Sequence, residues 1–169
     1  MHFKKYFLIF FYLFSTNSLS SENIAYIDID FILNNSLEGK LIIKQLNELN
    51  DKNLNNLQNK EKQLENEKKE INNEQNTLSN DELNKKIKDF QNKIKLFQKE
   101  KDLMVKNINE IKKKKIKNFI SKISPIIEKF MKEKSISILI DKKSVFIADP
   151  KYDITKSILR IIDEKLKNE

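Results

Sequence analysis

Apolar residues recur at helical spacing through the middle of the chain, over residues 37–132. In the second half of this segment they follow steps of three and four residues, the pattern of a coiled-coil seam. These residues are Leu83, Ile87, Phe90, Ile94, Phe97, Met104, Ile108 and Ile111. The first half keeps a sparser seven-residue register, formed by Ile43, Leu57, Leu64, Ile71 and Leu78. Because no glycine follows Gly39 and no proline precedes Pro125, the pattern predicts two long helices.

The two helices are predicted to form the arms of an antiparallel hairpin, with its tip near residues 76–81. Ser79 and Glu82 form an S-x-x-E capping box, which is typical of the start of a new helix. The outgoing arm then has about 38 residues and the return arm about 44 up to Pro125, so each is roughly 60 Å long. One uninterrupted helical rod is the alternative. Pro125 removes a backbone donor and should kink the return helix, either as a hinge or as a bend at the body.

The residues that flank the hairpin contain short runs of β-branched and aromatic residues. Such composition predicts one strand over residues 24–29 and a second over residues 136–140. A third strand is predicted over residues 145–148, Val-Phe-Ile-Ala, and Asp149-Pro150 ends it. The prediction for this part of the protein is therefore a small three-stranded sheet.

Three helical features complete the two ends of the chain. An apolar turn of helix is predicted at residues 31–33, and Ser36 is expected to cap the outgoing arm. Asp153 is expected to cap a last helix, whose apolar face carries Ile154, Ile158, Leu159, Ile162 and Leu166. The predicted fold class is α+β: a long, coiled-coil-like helical hairpin, residues 37–132, on a small β-body formed by residues 21–36 and 133–169.

A body of this size predicts self-association. Its roughly 50 residues are marginal as an independent fold, and the open edges of a short sheet invite pairing with another chain. We therefore expect an obligate homo-oligomer, whose subunit number does not follow from the residues. The residues expected to form the oligomer core are Ile24, Tyr26, Ile138, Ile140, Val145 and Ile147.

The first twenty residues have the order of a secretory signal peptide. Lys4 and Lys5 precede an unbroken apolar run of nine residues, which is followed by small and polar residues. Cleavage is predicted between Ser20 and Ser21, with an uncleaved signal anchor as the alternative. The protein is therefore expected to be exported. Its mature charge is then +6, because 31 basic residues remain against 25 acidic ones.

Composition excludes most catalytic and cofactor chemistry. The chain has one glycine, no cysteine, and one histidine, His2, which lies inside the predicted signal peptide. Gly-rich phosphate loops, disulfides, thiolate metal sites and histidine-based triads are therefore unavailable to the mature protein. Paired carboxylates or a Ser–Lys pair would be the remaining catalytic groups, but no sequence motif identifies a particular pair of residues. We predict no enzyme, no catalytic residue, no metal and no cofactor.

Both ends of the chain and its overall layout resemble the Skp/OmpH family of periplasmic chaperones. The resemblance rests on residues 24–28, Ile-Ala-Tyr-Ile-Asp, on residues 37–40, Leu-Glu-Gly-Lys, and on the stretch V-x-x-A-D-P-x-x-D-I-T over residues 145–155. It implies a homotrimer with a β-body and three helical arms around a cavity. It also implies a periplasmic holdase that keeps unfolded outer-membrane β-barrel proteins from aggregating without ATP. The chain departs from the family in its high Lys, Asn and Ile content.

Lysines on the arms are the candidate client contacts, because positive charge speeds the capture of acidic chains. They are Lys85, Lys86, Lys88, Lys93, Lys95, Lys112, Lys113, Lys114 and Lys115. The basic run at residues 112–115 is the sharpest signal, and a solvated helix face is the alternative for each lysine. A Lys-rich face also suits anionic lipid or lipopolysaccharide. The predicted export and the lack of aromatic residues on which bases could stack argue against nucleic acid as a binding partner. The alternative function is an exported coiled-coil adaptor that holds no client.

Overall fold

A computed structural model of the chain describes residues 23–167. It is mostly helical with a small two-stranded sheet. The elements in chain order are β1 (Asn23–Ile27), α1 (Ile29–Asn35), α2 (Leu37–Glu74), α3 (Asn80–Glu133), β2 (Ile136–Asp141) and α4 (Thr155–Leu166). Short 3-10 turns cover Lys142–Ser144 and Pro150–Tyr152. The predicted signal peptide and its cleavage at Ser20 and Ser21 lie outside the described residues.

The first turn of helix and the outgoing arm are joined by a tight elbow at Ser36. The Ser36 side chain is fully buried, and its Oγ accepts a hydrogen bond of 3.1 Å from the backbone N–H of Gly39. Its own N–H donates to the carbonyl oxygen of Ile32. One residue therefore ends α1 and caps α2, which confirms the predicted cap. Asp28 caps α1 in the same way, by accepting from the N–H of Phe31 at 2.8 Å.

The hairpin turn lies where the capping box predicts it. Ser79 accepts from the N–H of Glu82, and the Glu82 carboxylate accepts from the N–H of Ser79 at 3.2 Å. The Ser79 hydroxyl also donates to this carboxylate at 2.6 Å, and that bond together with the one from the Ser79 N–H lowers the pKa of Glu82. A chain reversal at this point places α2 and α3 side by side in opposite directions. The structure therefore contains two antiparallel helices, not one straight rod, and α2 is about 57 Å long at 1.5 Å per residue.

The seam between α2 and α3 covers its apolar residues only in part. Phe90 and Phe97 are half-buried on the seam, as their spacing predicts. Leu54 of α2 is 48% exposed. Fully buried apolar side chains of the two arm helices begin only at Phe119, near the body. The distal part of the hairpin is therefore thin and mostly solvated.

The core of the protein lies at the base of the arms. Phe119, Ile123, Ile126 and Ile127 of α3 pack with Ile27, Ile32, Ile158 and Ile162 of the body. Because α3 continues without interruption through Pro125 to Glu133, the return arm supplies half of these core residues itself. The arm is thus rooted in the core, and whether Pro125 acts as a hinge stays a prediction.

Strands β1 and β2 run parallel, with Ile24 opposite Ile138 and Tyr26 opposite Ile140. The alternation of side chains places Ala25 and Ile27 on the opposite face, where both are buried and Ile27 belongs to the core. The other face of the sheet has no helix packed on it in the described part of the chain. An isolated bridge between Tyr26 and Asp153 extends the sheet by one residue.

The third predicted strand, residues 145–148, is wrong for the single chain. The segment is irregular there, with Phe146 fully exposed and Ile147 87% exposed. The sheet has an open edge because β2 is bonded only to β1, but the chain leaves β2 through a 3-10 turn and the segment does not pair with that edge. The last helix begins at Thr155 with Ile154 at the N-cap position and no side-chain cap, so the predicted cap at Asp153 is wrong. Asp153 lies one residue before the cap position and accepts from the Thr155 N–H at 2.9 Å.

Candidate functional site

Three of the nine candidate lysines are engaged in holding the hairpin together. Lys86 forms an ion pair with Glu74 across the tip end of the arms. The Nζ of Lys93 lies 2.7 Å from Oε1 of Glu67, and the Nζ of Lys115 donates to Oε1 of Gln45 at 2.7 Å. These side chains bridge α2 and α3, so their charges are directed at the neighbouring helix and away from an incoming ligand.

The remaining six candidate lysines are exposed, and the ion pairs of residues 23–167 include none of them. They are Lys85, Lys88, Lys95, Lys112, Lys113 and Lys114. The run at residues 112–115 does not form one patch, because consecutive residues of an α-helix are about 100° apart around its axis. Lys112 lines a groove at the base of the arms and Lys115 faces α2, so only part of the run points to solvent.

Two leucines on α3 form an exposed apolar feature that the sequence prediction missed. Leu96 is 66% exposed and Leu103 is 56% exposed, and seven residues separate them. A seven-residue spacing places them on one side of the helix, next to the seam residues Phe97 and Met104 but outside the seam. The signal was present in the sequence, because Leu96 and Leu103 each stand one position before a seam residue and so do not fit the a/d positions.

The six predicted oligomer-core residues lie near one another at the sheet face opposite the core, four of them on the strands and Val145 and Ile147 in the irregular segment beside it. Tyr26 is the buried member of this set, at 9% exposure. Five of them line a cleft of about 390 Å³: Ile24, Tyr26, Ile140, Val145 and Ile147. The sixth, Ile138, pairs with Ile24 across the strands. Ile24 and Ile138 are 45% and 42% exposed, whereas large apolar residues of a packed sheet are normally buried. The structure therefore collects the predicted residues into one open apolar surface, beside the protruding Phe146.

Comparison with known proteins shows which family has this architecture. The profile of a family described as outer membrane protein (OmpH-like) matches residues 23–162, which is most of the chain. The chain belongs to the OmpH-like family. A crystal structure at 2.83 Å of an OmpH-like protein from Caulobacter crescentus CB15, named as a candidate outer membrane chaperone, is similar with a TM-score of 0.78. The two share 21% identity, and the match covers 88% of each chain. No curated protein matches this sequence.

The OmpH-like match confirms the family resemblance drawn from the two ends of the chain. The matched residues include β1, both arms, β2 and most of α4. The Caulobacter neighbour shows that the fold, with its long helices and small sheet, is shared at low sequence identity. Within residues 23–167, this OmpH-like chain has no helix that is long and apolar enough to cross a membrane.

The titrating groups of this OmpH-like chain serve its local structure. In the described residues no three carboxylates, histidines or cysteines cluster as metal ligands. Burial would raise the pKa of Asp153, but hydrogen bonds from Thr155 and the positive charge of Lys142 outweigh it, and the pKa falls below its ordinary value. The Asp30 carboxylate raises the pKa of Lys143. Both shifts belong to contacts that fasten the loops of the body.

Proposed function

We propose that this protein is an ATP-independent periplasmic holdase that captures unfolded outer-membrane proteins between basic helical arms and prevents their aggregation. Membership of the OmpH-like family and the name of the Caulobacter neighbour support this function. The observation that carries it is the hairpin itself, which extends far beyond a small core and leaves most of its surface in solvent.

A thin, solvated arm suits the holding of an unfolded chain. Its half-buried seam offers shallow grooves between the helices, and those grooves are lined mostly by polar and charged residues. Such a surface makes many weak contacts and lets the bound chain exchange among them. Unfolded β-barrel segments alternate apolar and polar residues, so their apolar side chains are spread along the chain and suit a series of shallow grooves.

The trimer implied by the family resemblance would form through the uncovered sheet face. The cleft formed by the oligomer-core residues opens to solvent in one chain, and Phe146 and Ile147 protrude beside it. An exposed apolar surface next to unpaired strand edges is the usual signature of a subunit interface. In a trimer the irregular segment at residues 145–148 would pair with a strand edge of a neighbouring subunit. Three bodies joined there would carry three arms around a common cavity.

The proposed location and electrostatics agree with this role. Export by a signal peptide over residues 1–20 would deliver the chain to the periplasm, through which outer-membrane proteins pass unfolded. The excess of basic residues would attract acidic clients and make capture depend on salt. The same charge would allow contact with anionic lipid or lipopolysaccharide where a client is delivered.

The deciding experiment measures mass and holding activity on the same preparation. Light scattering gives the oligomer mass, and turbidity follows an unfolded outer-membrane β-barrel diluted from urea, with and without the protein and without nucleotide. We expect a trimer that keeps the barrel soluble at about one trimer per client. A trimer that gives no protection would refute the holdase and leave the coiled-coil adaptor on the same fold. A monomer would refute the interface on the sheet.

A further inference from the structure

The face of α3 that points away from α2 carries four lysines and one asparagine at seven-residue spacing. One column of the α3 seam consists of Leu83, Phe90, Phe97, Met104 and Ile111. A position two residues after any of these lies about 200° around the helix and therefore on its rear side. The residues at these positions, here called the rear line, are Lys85, Asn92, Lys99, Lys106 and Lys113. All five are exposed. Four lysines and no acid give the rear line a charge of +4.

The lysines of the rear line are available to a ligand. The ion pairs of residues 23–167 involve none of the four, although several other lysines of the arms bridge the two helices. Acidic residues are present on α3, but Asp89, Asp102 and Glu110 lie beside the line and not on it. An incoming carboxylate would therefore meet four unpaired ammonium groups along about 42 Å of helix.

The outgoing helix lacks this feature. The matching seam column of α2 consists of Gly39, Leu46, Asn53, Lys60 and Glu67. The rear positions, two residues after each of these, are Leu41, Glu48, Asn55, Lys62 and Lys69. Two lysines and one glutamate give a charge of +1. The hairpin is therefore polarised, with its concentrated positive charge on the rear of the return helix. The amino-acid composition of the two arms does not reveal this difference in rear charge, because both arms are rich in lysine.

The exposed leucines lie beside the rear line, in the column of α3 that also holds Asp89 and Glu110. Leu103 stands between Lys99 and Lys106, four residues after the first and three before the second, and Leu96 stands three residues before Lys99. Residues three and four apart are neighbours on a helix surface, so apolar and basic side chains alternate along this face. The pattern matches a partner chain that presents both apolar and acidic side chains.

We propose that the rear line of α3, with Leu96 and Leu103, is the surface on which unfolded acidic polypeptide binds. The inference deepens the proposed holdase function and rests on it. A polypeptide fits better than a membrane surface, because membrane-bound helices separate a broad apolar face from a cationic one. Here two leucines are interrupted by lysines, which leaves no apolar face to enter a bilayer. The return helix, not the outgoing one, is the client-contacting side of each arm.

Matched substitutions on the two helices test this assignment. The rear-line variant replaces Lys85, Lys99, Lys106 and Lys113 with Gln. Its control replaces Lys52, Lys62, Lys68 and Lys69 of α2 with Gln, which removes the same charge from exposed positions of the other helix. A second pair of variants tests the leucines. One variant combines Leu96→Gln and Leu103→Gln on α3, and its control combines Leu41→Gln and Leu54→Gln on α2. Glutamine keeps the helix propensity of both residues, and circular dichroism checks the helix content.

The affinity of a fluorescently labelled unfolded outer-membrane β-barrel is measured by anisotropy. We expect the rear-line variant to raise Kd about tenfold, as the loss of four weak surface contacts would, and the α2 control to change it less than about twofold. Equal weakening in both variants would overturn the assignment, since only net charge would then matter. Failure of the unmodified protein to bind would refute the holdase itself, a result that is distinct from the first.

A direct map of the contact uses Asn92 and Asn55, which occupy equivalent rear positions on the two helices. A photo-reactive amino acid at each position should crosslink the client from position 92 and give little product from position 55. The opposite order would overturn the assignment. Vesicles of phosphatidylglycerol and phosphatidylethanolamine test the other class of partner. If the rear-line variant loses vesicle binding and keeps its client affinity, the surface serves a membrane and the proposal is wrong.

Discussion

The single glycine of this chain occupies a position where the structure leaves no room for a side chain. Gly39 is buried in the first turn of α2, where the helix crosses the end of α1. A Cβ atom built there would lie 2.0 Å from the carbonyl oxygen of Leu33 and 2.8 Å from Oγ of Ser36. Because real Cβ contacts do not fall below 3.0 Å, Gly39→Ala must move the Leu33 backbone by about 1 Å.

The expected loss follows from two opposing effects. Alanine favours a helix over glycine by about 1 kcal/mol, which would stabilise α2 if the site were open. Overpacking a core costs about 1–3 kcal/mol, and displacement of the Ser36 cap costs about a further 1 kcal/mol. We therefore expect Gly39→Ala to lower the free energy of unfolding by about 2 kcal/mol. The clash is with backbone, so rotation of a side chain cannot relieve it.

Urea unfolding with two probes tests this expectation. After residue 20 the only tyrosines are Tyr26 and Tyr152, and both belong to the body, so tyrosine fluorescence reports the region of the clash. Circular dichroism at the same time reports the helices. Asn55→Ala, on the exposed surface of the same helix, is the control and should gain a few tenths of a kcal/mol. If Gly39→Ala unfolds at the same or a higher urea concentration than the unmodified protein, the steric argument is refuted.

Three further predictions concern the core, the tip and the loops of the body. Ile158→Ala should cost about 2–5 kcal/mol in urea unfolding, because Ile158 is fully buried, whereas Leu96→Ala should stay within about 0.5 kcal/mol. Ser79→Ala should cost about 1 kcal/mol of local stability and speed hydrogen exchange at the hairpin tip. The lowered pKa of Asp153 contributes stability that is present above its ordinary pKa of 3.8 and is lost as pH falls through the lower folded value. Asp153→Asn should therefore reduce the acid sensitivity of unfolding, and an unchanged pH profile would contradict this.

The elements that could be predicted from the sequence are those governed by local rules. Helix propensity and a seven-residue period are properties of consecutive residues, so both arms followed from the apolar spacing. The caps at Ser36 and Ser79 followed for the same reason, because a cap bonds residues three apart. Hydrogen bonding in the structure reproduces both caps.

The features that escaped prediction depend on what lies across space. A run such as residues 145–148 has the composition of a strand, but composition does not reveal whether a free edge is within reach. Likewise, Lys86 and Lys93 look the same in sequence as Lys85 and Lys88. Only the register of the hairpin shows that the first two face Glu74 and Glu67 and that the other two face solvent. The set of candidate lysines could be reduced only after that register was known.

The distribution of burial along the arm links the fold to the proposed function. Near the body, α3 contributes Phe119 and Ile123 to a core that also includes the buried face of α4, so unfolding the base disrupts the whole domain. Toward the tip no residue of either helix is fully buried, and exposed ion pairs such as Lys93–Glu67 add little stability. Opening of the distal hairpin therefore costs less free energy than opening of the base. An arm built this way keeps a fixed root for assembly while its outer part can adjust to chains of different size, and the rear line from Lys85 to Lys113 extends along that adjustable part.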